Sequence, residues 1–503
     1  MQGTSLQRRA RYNPAMRALL AAGVALGSLA AQTANWPQFR GPNASGVAPG
    51  DAAPPVEFGP SKRLLWKQAL PPGHSSPVAW GDRIFLTAFD TASKKLEVIC
   101  VARKTGDVLW RRTAPAEQLE ATHAVSGPAT GSPAVDGERV YAYFSSHGVL
   151  AFDHSGAAQW SAPLPMPKTH HGSGASPILA GDLLIVNHDA MQGGYLLALD
   201  RRTGKPVWKQ EYPVVRGRVE SYSTPVVWRD QLVLHRAGII EAYEASGGNR
   251  LWSLAANTSG ASTAVASDSV IYVATWNVLG EDDQRSALPD YATLIRQYDK
   301  DGDGKISEAE FPARLKYTAR PELDDIPNSQ NFVSFRSLDR NGDGVVQESE
   351  WDAFRTRITT TMQDHGLLAI RPKGNTAAIE WRENYSIPEV PSPLLYRGRL
   401  YLTRNGGIVT CLDAATGKVI YRARAGAPGA YFASPVAAAG RVYLASGEGV
   451  VTVIAAGKEQ LEVLARNELG EEIVATPAIL GNAIFVRTMQ NLYAFGSAAD
   501  ESR

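Results

Sequence analysis

Two segments of the chain place oxygen-bearing side chains at the same alternating positions of a twelve-residue loop. They run from Asp299 to Glu310 and from Asp339 to Glu350, and each has a glycine at its sixth position. Ca²⁺ is a hard cation that takes about six to eight oxygen ligands in a flexible geometry. The two segments therefore predict a pair of calcium sites.

Both segments resemble the EF-hand loop, in which positions 1, 3, 5, 7, 9 and 12 supply the ligands. The first loop offers these positions as Asp299, Asp301, Asp303, Lys305, Ser307 and Glu310. The second offers Asp339, Asn341, Asp343, Val345, Gln347 and Glu350. Lys305 and Val345 would contribute main-chain carbonyls. Carboxylates crowded around an empty site repel one another, so we expect two Ca²⁺ ions that stabilise the segment.

Apolar residues recur at helical spacing on both sides of each loop, which predicts a helix before and after each one. Those around the first loop are Tyr291, Leu294, Ile295, Tyr298, Phe311 and Leu315. Those around the second are Phe332, Phe335, Leu338, Trp351 and Phe354. Ile306 and Val346 occupy the positions where paired loops form a short β-bridge. We assign this helical insertion to residues 278–365.

The rest of the chain repeats one pattern of Ser or Thr, a short strand, a second strand, and a third strand that ends in a glycine turn. The eight copies start at Ser76, Ser132, Ser176, Thr224, Thr263, Ser392, Ser434 and Thr476. A fourth strand follows each turn and carries Trp66, Trp110, Trp160, Trp208, Trp252, Trp381, Tyr421 or Leu464. Repeats of four short strands are typical of blades arranged around an axis.

The two ends of the pattern fit together. No strands of the pattern precede the copy at Trp66, and the last copy stops at Phe495 without a fourth strand. An N-terminal strand that completes the final blade explains both facts. We therefore predict an all-β fold, an eight-bladed β-propeller closed by an N-terminal strand, with the α-helical insertion in blade 5. A β-sandwich is the alternative fold.

The A-x-D-x-x-T-G-x-x-x-W unit resembles the repeat of the quinoprotein-like propellers, which include pyrroloquinoline-quinone (PQQ) alcohol dehydrogenases and the periplasmic barrel-assembly propeller. The resemblance covers nearly all of residues 60–496 outside the insertion, and it implies the fold rather than the chemistry. The dehydrogenases carry adjacent cysteines against their cofactor, whereas Cys100 and Cys411 are isolated, in equivalent strands of blades 1 and 6. We expect two free, buried thiols, and bound PQQ is disfavoured.

These observations favour a calcium-binding, non-catalytic binding or assembly platform. The alternative function is that of a PQQ-dependent alcohol dehydrogenase. A hydrolase finds no support, because the chain has no G-x-S-x-G or H-E-x-x-H motif. No catalytic residue is assigned.

Most of the histidines fall in the loops after second and fourth strands, which share one face of a propeller. This loop face would carry His74, His123, His147, His170, His171, His188 and His235. We expect it to bind a protein or small-molecule ligand, or a transition metal. Solvated loop histidines are the alternative interpretation. The insertion also follows a second strand, so it should stand on the same face.

The N-terminus has arginines ahead of an apolar run from Ala18 to Ala31, which is typical of a secretory signal. No cysteine follows the run, so we expect a secreted or periplasmic protein without a lipid anchor, translated from Met1 or Met16. The expected segments are 1–31 (signal), 32–277 (blades 1–5), 278–365 (insertion), 366–497 (blades 5–8) and 498–503 (tail). The net charge of +1 gives no reason to expect nucleic acid as a partner. We expect a monomer with no transmembrane segment in the mature chain.

Overall fold

The computed structural model describes residues 35–496, except 124–125, 214–219, 278, 280, 282–283 and 320–331, and it leaves out the side chains of residues 361–363. The predicted signal segment and tail lie outside the described residues. Within this part of the chain, eight four-stranded antiparallel sheets and one two-stranded sheet form. The eight larger sheets are the blades of a propeller, as predicted.

Blades 1 to 4 follow one another along the chain after a first strand, β1 (Leu64–Ala69). Blade 1 consists of β2 (Val78–Trp80), β3 (Arg83–Asp90), β4 (Lys95–Ala102) and β5 (Val108–Thr113). Blade 2 consists of β6 (Ala134–Val135), β7 (Arg139–Phe144), β8 (Gly148–Asp153) and β9 (Ala158–Pro163). Blade 3 consists of β10 (Ile178–Ala180), β11 (Leu183–His188), β12 (Tyr195–Asp200) and β13 (Pro206–Glu211). Blade 4 consists of β14 (Val226–Trp228), β15 (Gln231–Arg236), β16 (Ile239–Glu244) and β17 (Arg250–Ala255).

Blade 5 is interrupted by the insertion and is followed by three further blades. Its first half is β18 (Val265–Ala266) and β19 (Ile271–Thr275). The insertion holds α1 (Tyr291–Tyr298), β20 (Ile306–Ser307), α2 (Phe335–Leu338), β21 (Val345–Val346) and α3 (Glu348–Gln363). Blade 5 ends with β22 (Gly366–Lys373) and β23 (Thr376–Glu383). Blade 6 has β24 (Leu394–Tyr396), β25 (Arg399–Arg404), β26 (Ile408–Asp413) and β27 (Val419–Arg424); blade 7 has β28 (Val436–Ala438), β29 (Arg441–Ala445), β30 (Val450–Ala455) and β31 (Val463–Glu468); blade 8 has β32 (Ala478–Leu480), β33 (Ala483–Arg487) and β34 (Asn491–Phe495).

The N-terminal strand closes the ring. β1 pairs antiparallel with β34, and Trp66 lies opposite Ala494, so blade 8 contains strands from both ends of the chain. This pairing confirms the predicted closure and removes the open edge that the last blade would otherwise present to solvent.

A closed ring of hydrogen bonds joins the blades where their first strands begin. In each blade the main-chain N–H of the repeat's leading Ser or Thr donates to the hydroxyl oxygen of the equivalent residue in the next blade. The eight bonds measure 2.8 to 3.1 Å and link Ser76, Ser132, Ser176, Thr224, Thr263, Ser392, Ser434 and Thr476, which donates back to Ser76. All eight residues are buried. The Ser/Thr positions seen in the sequence are therefore the acceptors that connect one sheet to the next.

The fourth-strand tryptophans make a second connection between neighbouring blades. Trp66 donates from Nε1 to the carbonyl of Arg103, at 2.9 Å, in the turn of blade 1. Gly106 in that turn has a φ of +80°, and a Cβ atom there would lie 2.7 Å from the indole ring of Trp66. Only glycine accommodates both the left-handed conformation and the close approach. Trp160 and Gly204 repeat this contact between blades 2 and 3.

The segment before β1 contacts the first strands, or the residues just before them, in blades 1, 6 and 7. Trp36 is fully buried and exchanges two main-chain hydrogen bonds with Ala79 in blade 1. Further along, Arg40 donates from Nη2 to the carbonyl of Pro393 in blade 6, and Ala48 donates from its main chain to Ala437 in blade 7. The segment thus ties distant blades together.

Both cysteines are free and buried, as predicted, in β4 and β26 of blades 1 and 6. Burial raises the pKa of the Cys100 thiol to about 12, so this group stays a neutral thiol at physiological pH. Among the helices that the structure describes, none has the length and apolar character needed to cross a bilayer.

The hydroxyl ring leads to a stability prediction. Replacing Ser392 with Ala removes the acceptor for the buried main-chain N–H of Thr263. An unsatisfied buried donor costs about 1–3 kcal/mol. We expect the variant to unfold at a lower denaturant concentration, measured by tryptophan fluorescence. Ser253→Ala, at an exposed position in β17, is the matched control and should leave unfolding unchanged. Equal stability of the two variants would contradict a stabilising role for the hydrogen bonds of the ring.

Candidate calcium site and loop face

The insertion has a small hydrophobic core of its own. Asp290 caps α1, because its side chain accepts a hydrogen bond from the main-chain N–H of Thr293. Leu294, Leu338 and Trp351 are fully buried in a cluster that is separate from those of the blades. Tyr291 donates from its hydroxyl at 2.9 Å to the carbonyl of Val346 and also contacts the carbonyl of Gly304. One side chain therefore connects the two loops.

The predicted helix after the first loop is wrong. The chain makes one turn there, in which the N–H of Phe311 donates to the carbonyl of Ser307, and then leaves the helical path. Pro312 explains the interruption, because proline lacks an N–H and its ring clashes with the preceding turn. Proline also disfavours helical dihedrals at Phe311. The helix after the second loop, α3, forms as predicted.

The first loop gathers the predicted oxygen donors. Carboxylate oxygens of Asp299, Asp301 and Asp303 all lie within 4.8 Å of one another. Glu310, at position 12, accepts hydrogen bonds from the hydroxyl and N–H of Ser307 and from the N–H of Lys300. These bonds, led by the Ser307 hydroxyl, lower the pKa of Glu310 to about 2. The donor set consists of hard, negatively charged oxygens and fits Ca²⁺.

The second loop repeats the hydrogen bonds that main-chain N–H groups donate to positions 1 and 12. Asp339 accepts from the N–H groups of the following glycines, as Asp299 does in the first loop. Glu350 accepts from the N–H of Arg340 at 3.0 Å and from that of Gln347 at 3.2 Å. The loops pair through Ile306 and Val346 in the two-stranded sheet, as the sequence predicted. Pairing places the two candidate calcium sites side by side.

A buried polar cluster fastens the insertion to the propeller. Glu281 near its start and His365 at its end are both fully buried, with 2.8 Å between Glu281 Oε1 and His365 Nε2. The N–H groups of Ser386 and Ile387, in the loop between blades 5 and 6, donate to the same carboxylate. Arg404 lies 3.6 Å from it. We call this group the latch.

The latch holds a charged carboxylate and an oriented imidazole. The N–H of Asn277 donates to Nδ1 of His365, which leaves the Nε2 hydrogen to bond Glu281. Burial opposes ionisation of Glu281, but hydrogen bonds from His365 and Ile387 outweigh it and lower its pKa. The contacts of the latch reach loops that follow fourth strands. The insertion therefore stands on the loop face, as expected.

The structure divides the loop-face histidines into two kinds. His188 is buried, with 2.9 Å between Nδ1 and the hydroxyl of Tyr143. His235 is buried between the carbonyl of Ser262 and the hydroxyl of Thr258. Burial lowers the pKa of each to about 4. These two imidazoles are neutral, buried parts of the fold and do not form the exposed surface of the loop face.

His74 and His147 are separate from that pair. His74 lies near Arg487, and burial together with this positive charge lowers the pKa of its imidazole to about 4. His147 is the last residue of the turn between β7 and β8, with 3.0 Å between Nε2 and the hydroxyl of Ser161. Neither makes a ring contact with another histidine among the described residues.

The other three histidines gather on the loops that follow blades 1 and 2. The ring centres of His123 and His171 are 5.0 Å apart, and those of His170 and His171 are 6.5 Å apart. Behind them, buried Glu220 accepts hydrogen bonds from the N–H of His170 and from the hydroxyl of Tyr222. The sequence placed these histidines on one face, but it gave no sign of which would meet.

Two further carboxylates are buried beneath the same face. Burial raises the pKa of Glu120, which accepts a hydrogen bond from the hydroxyl of Ser145. Burial also raises the pKa of Asp189, although Arg236 and the hydroxyl of Ser221 oppose this effect. With Glu220 they form an acidic layer under the loops of blades 1 to 4.

The sequence of the chain matches the profiles of two known families. The sequence profile described as outer membrane protein assembly factor BamB matches residues 57–288 and 351–503, well over half of the chain. The chain belongs to this PQQ-like repeat family. An EF-hand profile matches residues 292–313 and 332–354, which cover both calcium loops. The resemblance read from the repeat is thereby confirmed, together with the presence of the EF-hand insertion.

Relatives of this PQQ-like repeat protein include both assembly factors and enzymes. A polyvinylalcohol dehydrogenase from a Pseudomonas species is 32% identical over 146 residues, which are 26% of this chain and 21% of that enzyme. The chain therefore spans about a fifth of the length of this curated relative.

Solved structures with the same fold also come from both groups. BamB from Moraxella catarrhalis aligns with a TM-score of 0.53 and 13% identity, over 86% of this chain and 99% of that one. A europium-containing methanol dehydrogenase aligns at 0.56 and 11% identity, over 92% and 98%. The quinohemoprotein alcohol dehydrogenase of Comamonas testosteroni aligns at 0.57 and 12% identity, over 96% and 85%. These likenesses concern the fold alone.

The latch can be tested through Glu281→Gln. The amide group of glutamine cannot replace the second carboxylate oxygen, because the N–H groups of Ser386 and Ile387 are both donors. A buried donor left without its acceptor costs about 1–3 kcal/mol, and more where the lost acceptor was charged. We expect a marked fall in thermal stability at pH 7. Glu459→Gln, which removes an exposed partner of Arg399, is the control and should cost less than about 1 kcal/mol.

The pH dependence of this difference follows from the lowered pKa of Glu281. The stabilisation is complete above the ordinary glutamate value of 4.5 and is lost as the pH falls through the lower folded value. The gap in melting temperature between wild type and Glu281→Gln should therefore narrow below pH 4.5. A gap that is constant down to pH 2 would contradict an ionised Glu281 in the folded protein.

Proposed function

We propose that this protein is a calcium-binding propeller that serves as a non-catalytic binding or assembly platform. The observation that carries the proposal is the pair of EF-hand loops with an oxygen donor at every ligand position, on an insertion that is fastened, through buried Glu281 and His365, to the loop face. A rigid ring supplies the platform, and the insertion forms one side of its binding surface. Loops positioned by a rigid scaffold are the usual place for binding residues.

In this proposal calcium has a structural role. Each loop would hold one Ca²⁺ through its ligands at positions 1, 3, 5, 7, 9 and 12, twelve residues in all. Acidic side chains such as Asp299, Asp301 and Asp303 repel one another without the ion, so binding and folding of the insertion are linked. Because the two loops share one hydrophobic core, the calcium-bound insertion would also hold the residues of the latch in place.

The ligand is a protein or small molecule that contacts the loop face. On the loop face, the exposed imidazoles of His123, His170 and His171 lie near the acidic layer. His74 and His147 lie on neighbouring loops. Buried His188 and His235 support the loops from below. A face with exposed imidazoles over buried carboxylates favours a polar or cationic partner.

We also propose that the protein acts outside the cytoplasm as a monomer. The arginine-rich start and the apolar run up to Ala31 support a secretory signal at residues 1–31, and the matching family is described as an outer membrane protein assembly factor. The mature chain would then comprise the propeller, residues 32–277 and 366–497, with the insertion 278–365 and the tail 498–503. Calcium-rich surroundings of this kind keep even weak EF-hand sites filled.

Calorimetric titration of the calcium-free protein tests the proposal. We expect two Ca²⁺ ions per chain and a higher melting temperature in the loaded protein. Glu310→Gln and Glu350→Gln each remove the ligand at position 12 and should each abolish one site or weaken it at least tenfold.

Position 10 of each loop offers matched controls. Glu308→Gln and Glu348→Gln remove the same charge from the same loops without touching a predicted ligand, so their calcium affinity should stay within a factor of about two to three of wild type. Unchanged binding in the position-12 variants would refute the assignment of these ligands. Absence of calcium uptake at millimolar concentration would refute the calcium function itself.

The second candidate function is that of a PQQ-dependent alcohol dehydrogenase. The 32% identity to a polyvinylalcohol dehydrogenase over 146 residues favours it. The residues of the loop face do not fit the cofactor, however. PQQ is anionic, whereas Glu120, Asp189 and Glu220 are buried under this face. Cys100 and Cys411 lie in separate blades and offer no adjacent pair.

Reconstitution distinguishes the two candidates. The calcium-loaded protein is incubated with PQQ, freed of unbound cofactor by gel filtration, and assayed by absorbance and by alcohol-dependent dye reduction. We expect no retained chromophore and no dye reduction. A stoichiometric chromophore with alcohol-dependent turnover would replace the platform with the dehydrogenase.

A further inference from the structure

Three loop histidines lie together in front of a buried carboxylate. They come from two loops, one between blades 1 and 2 and one between blades 2 and 3. The main-chain N–H of His123 donates to the carbonyl of His171, at 3.3 Å, and so joins the loops. We propose that His123, His170 and His171 bind one transition-metal ion of borderline softness, such as Zn²⁺, on the loop face.

The spacing of His123 and His171 matches a shared ion. With metal–nitrogen bonds of about 2.0–2.1 Å, two imidazoles on a tetrahedral ion have ring centres roughly 5 Å apart. The observed distance between these ring centres is 5.0 Å. His170 lies 6.5 Å from His171, so it has to move to reach the same ion, and its side chain is 48% exposed, which leaves space for this movement. His123 and His171 thus form the core of the site, and His170 is the third ligand.

Hydrogen bonds behind the histidines assign the protons. Tyr222 donates its hydroxyl hydrogen to Glu220 Oε1 at 2.8 Å. Its oxygen therefore accepts the Nδ1 hydrogen of His171, at 2.9 Å. On the other side, Nδ1 of His170 lies 3.2 Å from Glu220 Oε2 and donates to it. Both imidazoles are consequently held in the tautomer that carries the lone pair on Nε2, the atom that would bind the metal.

Glu220 is a positioning residue for these two ligands. Its side chain is 1% exposed, and the N–H groups of His170 and His171 fix one oxygen at 2.5 and 3.2 Å. Metal-binding histidines commonly donate their second N–H to a carboxylate, which orients the ring and makes it a stronger ligand. The same negative charge, with Glu120 nearby, favours a dication over a neutral ligand.

This site differs from the calcium loops in its donor chemistry. Imidazole nitrogens suit Zn²⁺, Cu²⁺ and Ni²⁺, whereas Ca²⁺ prefers carboxylate and carbonyl oxygens. Saturating calcium should therefore leave the histidine site available. The site also deepens the platform proposal without depending on it, since metal binding can be measured whether or not a protein partner exists.

The test is a Zn²⁺ titration of the full chain, produced without a polyhistidine tag and saturated with Ca²⁺. We expect one ion per chain by calorimetry, and Co²⁺ in its place should give the absorption bands of a tetrahedral nitrogen site. His123→Gln and His171→Gln should each weaken Zn²⁺ binding at least tenfold. His147→Gln, on the same face, is the matched control and should bind as wild type does.

The positioning role of Glu220 has its own variants. Glu220→Gln and Tyr222→Phe should each weaken Zn²⁺ binding by about 10- to 100-fold while the Co²⁺ bands persist at higher metal concentration. Circular dichroism and calcium titration establish that each variant is folded. Equal Zn²⁺ affinity in wild type and the His123→Gln/His171→Gln double variant would overturn the proposal. Loss of Zn²⁺ binding only in Glu310→Gln and Glu350→Gln would also overturn it, since the ion would then lie in the EF-hand loops.

Discussion

The ring of eight side-chain hydrogen bonds at the start of the first strands is the connection on which this fold depends. Each blade satisfies its own main-chain groups internally, so the sheets need other contacts to hold them together. A hydroxyl that accepts the neighbour's N–H provides one contact per junction, and every blade is both donor and acceptor. Because the donors are buried, a non-polar residue at any of these positions would leave an N–H without a partner.

This constraint explains which parts of the repeat vary. The ring requires a small hydroxyl residue, and the turn after the third strand requires glycine where tryptophan covers it. The other buried positions of the inner strands need mainly to be apolar. The fourth-strand position accordingly changes from tryptophan to Tyr421 in blade 6 and to Ala465 in blade 7 without loss of the blade. The sequence placed Leu464 in this position, but the register makes Leu464 the bulged residue just before it. The loops carry no such requirement, so they can hold functional groups, including an entire insertion in blade 5.

Periodicity in the sequence was sufficient to predict the blades, their closure and the calcium loops, because each depends on residues at fixed short spacings. Other features depend on contacts between distant residues. Glu281 and His365 are separated by 84 positions, and nothing local marks them as partners. The histidines of the loop face were identified as a group, but whether a ring is buried, as for His188, or exposed, as for His171, depends on the packing of neighbouring loops. Pro312 was a local signal for the missing helix and outweighs the apolar spacing around it.

The segment from Trp36 to Ala48 has a consequence for how the molecule is made. Its partners lie in blades 1, 6 and 7, and β1 pairs with β34, so residues synthesised early depend partly on residues synthesised late. Blades can form one after another during translation, since strands within a blade are close in sequence. Completion of the ring cannot, because β1 has no partner strand until β34 is made, and the guanidinium of Arg40 has no Pro393 carbonyl to bind until blade 6 is made. A ribosome that stalls before the last strand is made would thus release a nearly full-length chain in which β1 has no partner and blade 8 is incomplete.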